Sequence, residues 1–265
     1  MTMLAGRYRL EELTRVGGFG DEWRCVDVRI GPHPITAKLL ATQGPDPERY
    51  ADHIQRWIRK VAAINHRGVT AIYDVGVDPE AGLVVFLEYV EDSLDRQIAR
   101  HAPFAPDRTM DVVAQLADAL AVVHEHGLRH GELRPGTIGV RSDGTVLLKL
   151  FGLGLPVERL DLASAGIATF YYSAPEEFKA EPATHQADIY SLGVVAYLCL
   201  TGRHPFQDYR SPFDLAYDVV HKQPPPLPPT VPPAVASIVE RALAKDPTDR
   251  WPTAAAVAQA IRSIP

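Results

Sequence analysis

Cysteine is nearly absent from this chain, which has two in 265 residues, Cys25 and Cys199. Two thiols cannot build a disulfide framework, and without a C-x-x-C spacing or a His partner pattern they do not suggest a zinc site, so no metal is expected and a reducing cytoplasm fits best. Surplus positive charge is missing too. Lys and Arg number 27 against 33 Asp and Glu, a formal net charge of −6, which argues against a dedicated nucleic-acid binder or a polybasic membrane-surface protein. Long apolar runs are also lacking. The longest, Leu192 to Leu200, is too short to span a bilayer, and the N-terminal Met-Thr-Met-Leu-Ala-Gly-Arg-Tyr-Arg-Leu has no apolar signal core. No membrane contact by the chain itself is expected. What remains is a globular composition, 46% hydrophobic and 23% charged, in a length that suits one large domain or two packed lobes.

The apolar spacing changes near residue 91. Before it, Tyr8 to Glu11, Glu22 to Val28, Ile35 to Leu40, Ala71 to Val77 and Leu83 to Tyr89 read as short strands divided by Gly, Pro or Asp turns. One helix interrupts them, roughly Pro47 to Ile64, with Pro47 suited to a first helical turn. From Met110 the period is helical: Val113, Leu116, Leu120 and Val123 share a face, and Gly127 is placed as a stop. A helix from about Asp188 to Leu200 is apolar nearly all round and should be buried, and Thr253 to Arg262 reads as a final helix capped by Thr253. The stretch Pro224 to Pro233 reads as a stiff interhelical connection, with a polyproline ligand as the alternative.

The glycines of Arg15-Val16-Gly17-Gly18-Phe19-Gly20 are a weak signal alone, but their surroundings are ordered. A strand ending in Lys38 follows, then His130-Gly131-Glu132-Leu133-Arg134-Pro135, Leu150-Phe151-Gly152, Ala174-Pro175-Glu176, Asp188-Ile189-Tyr190-Ser191-Leu192-Gly193 and Arg250. This order and spacing resembles the bacterial eukaryotic-type (Hanks-type) Ser/Thr protein kinases over essentially the whole chain. The resemblance implies an α+β, two-lobed protein-kinase-like fold over residues 1–265, with a β-rich N-lobe carrying one helix (about 1–90) and a mainly helical C-lobe (about 91–265).

The resemblance fails at the reaction centre. Family members hold magnesium with the Asp of D-F-G and the Asn of the catalytic loop; the matching residues here are Leu150 and Thr137, and an alkyl group cannot ligate so hard a cation. The base position carries Glu132, to be weighed against a solvated surface acid, and Arg134 replaces the usual Lys with no obvious anion beside it. The helix position that would pair with Lys38 falls on Trp57, which reads as packing. The adenine slot has Glu22, Thr36 and Gly139 where the family has Val, Ala and Leu, and the first loop Gly is replaced by Arg15. Gly17, Gly20, Glu22, Thr36, Lys38 and Gly139 are thereby expected to be vestigial, with Lys38 pairing instead with Glu22. Val61, Ile72, His130 and Phe151 match the stack that links the lobes, Glu176 and Arg250 an ion pair beneath the activation segment, and Asp188 the acid that bonds the catalytic loop.

These departures lead to the expectation of a pseudokinase: a regulatory or scaffolding module without phosphotransferase activity, with ATP binding weak or absent and no magnesium. Its partners are expected to be proteins, among them an active Ser/Thr kinase or a phosphopeptide-binding domain, with Ser164 and Thr169 as possible phosphosites on the activation segment from Leu153 to Ser173. Gly131 replaces the Arg that in many kinases reads a phosphate there. Two alternatives stay open: a noncanonical nucleotide-dependent transferase or weak Ser/Thr kinase using Lys38, Glu132 and Arg134, and a structural cytoplasmic domain of a larger membrane protein.

Overall fold

Alternating apolar and polar residues draw the first part of the chain into an antiparallel sheet. The structure is a computed structural model and describes residues 2–16, 20–40, 47–149, 170–179, 181–207 and 211–264. Strands β1 (Met3–Leu4), β2 (Tyr8–Arg15), β3 (Gly20–Asp27), β4 (Pro34–Leu40), β5 (Ile72–Asp78) and β6 (Gly82–Glu88) lie in the order β1-β2-β3-β4-β6-β5. The β3–β4 register places Glu22 opposite Lys38 and Thr36 opposite Arg24, and β2 brings Arg15 opposite Glu22, so one sheet face collects polar residues. Gly20 enters β3 at φ +121°, and a Cβ there would collide with the Leu39 carbonyl. That glycine is required by the hairpin whatever the cleft holds.

Helix α1 (Pro47–Ala62) lays Ile54, Trp57, Ile58 and Val61 into the core at spacings of three and four, and Trp57, 5% exposed, is the packing residue expected. After it come β7 (Asp92–Ser93), α2 (Leu94–His101), α3 (Pro106–Glu125), β8 (Ile138–Val140), β9 (Val146–Leu148), α4 (Pro175–Phe178), α5 (His185–Thr201), α6 (Pro212–His221), α7 (Pro233–Ala242) and α8 (Ala254–Arg262). This is the α+β, two-lobed protein-kinase-like architecture. Helix α3 buries Val113, Leu116, Leu120 and Val123 and begins before the apolar period does, because Pro106 fits its first turn. Helix α5 is buried on nearly every side and ends at Gly202 with φ +70°. Thr253 accepts the Ala256 N–H at 3.1 Å and caps α8.

Helices α2, α6 and α7 were not legible as periodic runs. The first is polar on most of its surface, and the other two are ten residues each and set off by prolines. The proline-rich stretch is the connection between α6 and α7, without helix or strand of its own. Among the described residues no helix is long and apolar enough to cross a membrane.

A second sheet, β7-β8-β9, sits beneath the first and is tied to it by the Val69–Leu148 bridge, with Thr70 N–H donating to the Leu148 carbonyl at 3.0 Å and Leu148 N–H to the Gly68 carbonyl at 2.8 Å. This stitch sets the loop from His130 to Thr137 under the polar face of the six-stranded sheet.

Candidate active site

The upper wall of the cleft is the β3–β4 pair. Lys38 Nζ lies 3.5 Å from Glu22 Oε1 with both side chains about nine-tenths buried, which is the pair expected once the helix offers Trp57 instead of an acid. Burial alone would raise the Glu22 pKa, but Lys38, Lys149 and Arg15 outweigh it and hold the carboxyl below its usual value.

The lower wall is the loop from His130 to Thr137, and Asp188 on α5 shapes it. Its carboxylate accepts the His130 and Gly131 backbone N–H groups, each at 2.8 Å, and lies 2.9 Å from His124 Nε2. Burial pushes Asp188 up, yet these partners, His124 first, hold it below the usual range. Gly131 takes φ +72°, the left-handed turn that an Arg at this place would strain to adopt. His130 is fully buried, its Nδ1 receives the Glu132 N–H at 3.2 Å, and burial drives its pKa down to about 4.

That shift predicts an acid-sensitive fold. An unfolded histidine titrates near 6.5 and the folded one near 4, so the unfolded state binds the extra proton in between. Stability is therefore complete above pH ~6.5 and falls toward pH 4, by about 3 kcal/mol if His130 acts alone. Urea unfolding at pH 7 and 4.5 checks this: His130→Phe should lose much of the difference, and an unchanged pH slope would exclude His130 as its source.

Glu132 is not the solvated surface acid that the sequence left open, and Arg134 does not lack an anion. The two are partners: Arg134 Nε and Nη2 donate to Glu132 Oε1 at 3.0 and 2.9 Å, with Glu132 8% exposed. The physical reason is local. The 3₁₀ turn Pro135–Thr137 folds the loop back, Thr137 Oγ1 accepts the Arg134 N–H at 3.2 Å and sits 2.8 Å from the Glu132 carbonyl, so the chain between the two charges is pinned. Both donors use Oε1; among the described residues Oε2 accepts none.

Two further cations complete the cleft. Arg15 reaches from β2 to donate Nη1 to the Gly136 carbonyl, a contact between upper and lower walls, with its guanidinium lying where a side chain at 136 would begin. Lys149, just after β9, was missed in the sequence because its position carries no motif residue. Its side chain is pushed to lower pKa by burial, opposed by Glu22. Arg15, Glu22, Thr36, Gly136 and Lys149 line a cavity of about 320 Å³. Gly139 lies in β8, where Leu147 and Val90 stand 3.2–3.3 Å from the place of an added Cβ.

Gly17, Leu150, Phe151, Ser164 and Thr169 lie outside the described residues, as does the activation segment up to residue 169. Among the described residues no group of three His, Cys, Asp or Glu side chains is arranged for a metal ion.

Comparison with known proteins places this geometry in context. The protein kinase domain model matches residues 11–261. The chain is 31% identical over 268 residues to serine/threonine-protein kinase PknA of Mycobacterium tuberculosis strain H37Rv, covering 98% of this chain and 62% of the relative. It is 32% identical over 263 residues to serine/threonine-protein kinase PknB of Mycolicibacterium smegmatis, covering 95% of this chain and 42% of the relative. The chain thus spans about three-fifths and two-fifths of the lengths of these relatives.

These matches overturn two expectations. A chain that is no enzyme, and a cleft without ATP or magnesium, do not agree with relatives that bear the name of Ser/Thr kinases over nearly the whole chain, since protein kinases act on ATP with magnesium. The substitutions at 57, 132, 137 and 150 are departures within that family, and nothing in the comparisons shows that they abolish activity. Missing motif letters do not empty the cleft, which keeps two buried carboxylates, Glu22 and Glu132, and four cations, Arg15, Lys38, Arg134 and Lys149, in place of the usual set.

Proposed function

Because this chain belongs to the protein kinase family, we propose that it transfers a phosphoryl group from a nucleoside triphosphate to a serine or threonine hydroxyl of a protein, through a site assembled differently from the family's pattern. The observation that carries this is Glu132, a buried carboxylate oriented through Oε1 by Arg134 with Oε2 open to a proton. A general base must be held in place and have a free lone pair toward its substrate. A surface acid meets neither demand.

The donor set of the cleft fits the triphosphate. Lys149 and Arg15 line the cavity, Lys38 stands behind it on Glu22, and Arg134 lies beside Glu132. For magnesium the described residues offer few ligands, so its oxygen shell would come from phosphates, water and at most one or two carboxylates, which is how this ion is commonly held. When bound, Mg-ATP supplies the γ-phosphoryl group and ADP leaves. The residues of this chain do the rest: the cations neutralise and orient, Arg134 fixes Glu132, and Glu132 Oε2 takes the proton of the attacking hydroxyl. The N-lobe, about residues 1–90, supplies Arg15, Glu22 and Lys38, and the C-lobe supplies the remainder.

A regulatory role alongside transfer has its own support, namely that Arg15 bridges the cleft walls to the Gly136 carbonyl while Lys38 and Glu22 engage each other. Such contacts would have to yield when a nucleotide enters, which makes occupancy a means of signalling to protein partners.

The test is direct. Purified chain with γ-labelled ATP, magnesium or manganese, and a protein substrate should give acid-stable label on serine or threonine, above that of the Glu132→Gln protein. No label above that control with either metal would overturn the reading.

A further inference from the structure

Among the described residues, the buried and half-buried cations around the cleft and in the helical lobe have partners. Lys38 has Glu22, Arg134 has Glu132, Arg250 has Glu176, Arg15 has the Gly136 carbonyl, and Lys245 donates to the Val219 carbonyl at 2.6 Å. Lys149 breaks the pattern. Its backbone is fixed, the N–H donating to the Thr137 carbonyl at 2.9 Å, yet among the described residues its ammonium makes no ion pair and no hydrogen bond. An ammonium shielded from water, with no ion-pair or hydrogen-bond partner among the described residues and Glu22 attracting it only from beyond ion-pair distance, gains from an anion that arrives from outside.

The surroundings define that anion. Lys149 lines the cavity of about 320 Å³ together with Arg15, Glu22 and Gly136. Glu22 is already engaged by Lys38, and the other acids on the lining, Glu12, Glu91 and Asp95, are exposed at the rim, where water screens them. The interior therefore carries the charges of Arg15 and Lys149 beyond what its one buried acid balances. A small anion of several charges meets that requirement, and a phosphate chain has both the charge and the acceptor oxygens.

We propose that Lys149, with Arg15 facing it, is a phosphate-binding residue of the cleft, a fixed positive charge that grips the phosphate chain of a nucleotide whether or not a divalent cation accompanies it. This rests on the reading that the cleft takes a nucleoside triphosphate, and it assigns a residue that no kinase motif contains. Transfer still draws on the metal; binding retains an affinity that does not.

Calorimetric titration of the full chain separates the possibilities, with ATP and with inorganic tripolyphosphate, each in excess magnesium and in EDTA. Wild-type protein should bind both ligands in EDTA. Lys149→Met should weaken both by tenfold or more in EDTA and by less in magnesium, while Lys149→Arg keeps most of the affinity. Without ligand, Lys149→Met should melt at the same temperature or higher, because it removes an unpaired buried charge, and this shows that any loss of binding is not unfolding. Unchanged affinity of Lys149→Met, or wild-type binding that vanishes in EDTA or is absent throughout, would overturn the proposal. Its failure is distinct from that of the transfer reading: label transfer with binding indifferent to residue 149 sinks this proposal alone, and Lys149-dependent binding without transfer sinks only the other.

Discussion

Phosphate transfer by the Glu132→Gln protein is expected to fall by roughly two to four orders of magnitude, the usual contribution of a positioned general base. The amide keeps the shape of the carboxylate and an oxygen for Arg134, so the loop should stay folded while the proton acceptor is lost. Single-turnover labelling isolates this step from product release. Arg134→Met provides the companion measurement: Arg134 acts on Glu132 as a positioning residue and lies near the proposed phosphate site, so its removal should lower kcat and also raise KM, whereas Glu132→Gln should act on kcat alone. A rate for Glu132→Gln within threefold of wild type would exclude Glu132 as the base.

The second large effect concerns stability. Arg250, with a side chain fully buried, uses all five of its N–H donors: Nη1 and Nη2 each reach a Glu176 oxygen at 2.7 Å, and Nε, Nη1 and Nη2 also donate to the carbonyls of Ala244, Gln186 and Lys245 at 2.8, 2.9 and 3.2 Å. Removing the acid strands a guanidinium that has no access to water. Glu176→Ala should therefore cost about 3–5 kcal/mol, whereas exposed ion pairs contribute up to about 1 kcal/mol. At roughly 2–4 °C per kcal/mol for a chain of this size, the melting midpoint should drop by roughly 6–20 °C. Lys222→Ala, which breaks the pair between exposed Lys222 and Asp218, is the control and should shift it little. If the two variants melt together, the buried pair is not what ties α4 to the segment before α8.

Some of this was determined by the sequence alone. The pairing of β3 and β4 follows from strand alternation on either side of a turn, and once that register exists Glu22 and Lys38 face each other. The helices α3, α5 and α8 were equally legible, because an apolar stripe, a capping Thr or a terminal glycine acts within a few residues. The order of motifs gave the architecture for the same reason, each being a local turn or cap with its own geometry. Short α2, α6 and α7 escaped because polar surface and flanking prolines leave too little period to read.

What the cleft does with its charges was decided only by the tertiary structure. Glu132 reads equally well as a solvated acid until the loop is pinned by Asp188, 57 and 58 residues further along the chain, and folded back by Thr137. Arg15 meets the Gly136 carbonyl across 121 residues, and Lys149 stands in no motif. Local periodicity determines which face a residue occupies, but whether its charge is paired, stranded or open to a ligand depends on which distant wall excludes water from it. Desolvation is a property of the closed cleft, and no stretch of sequence carries it.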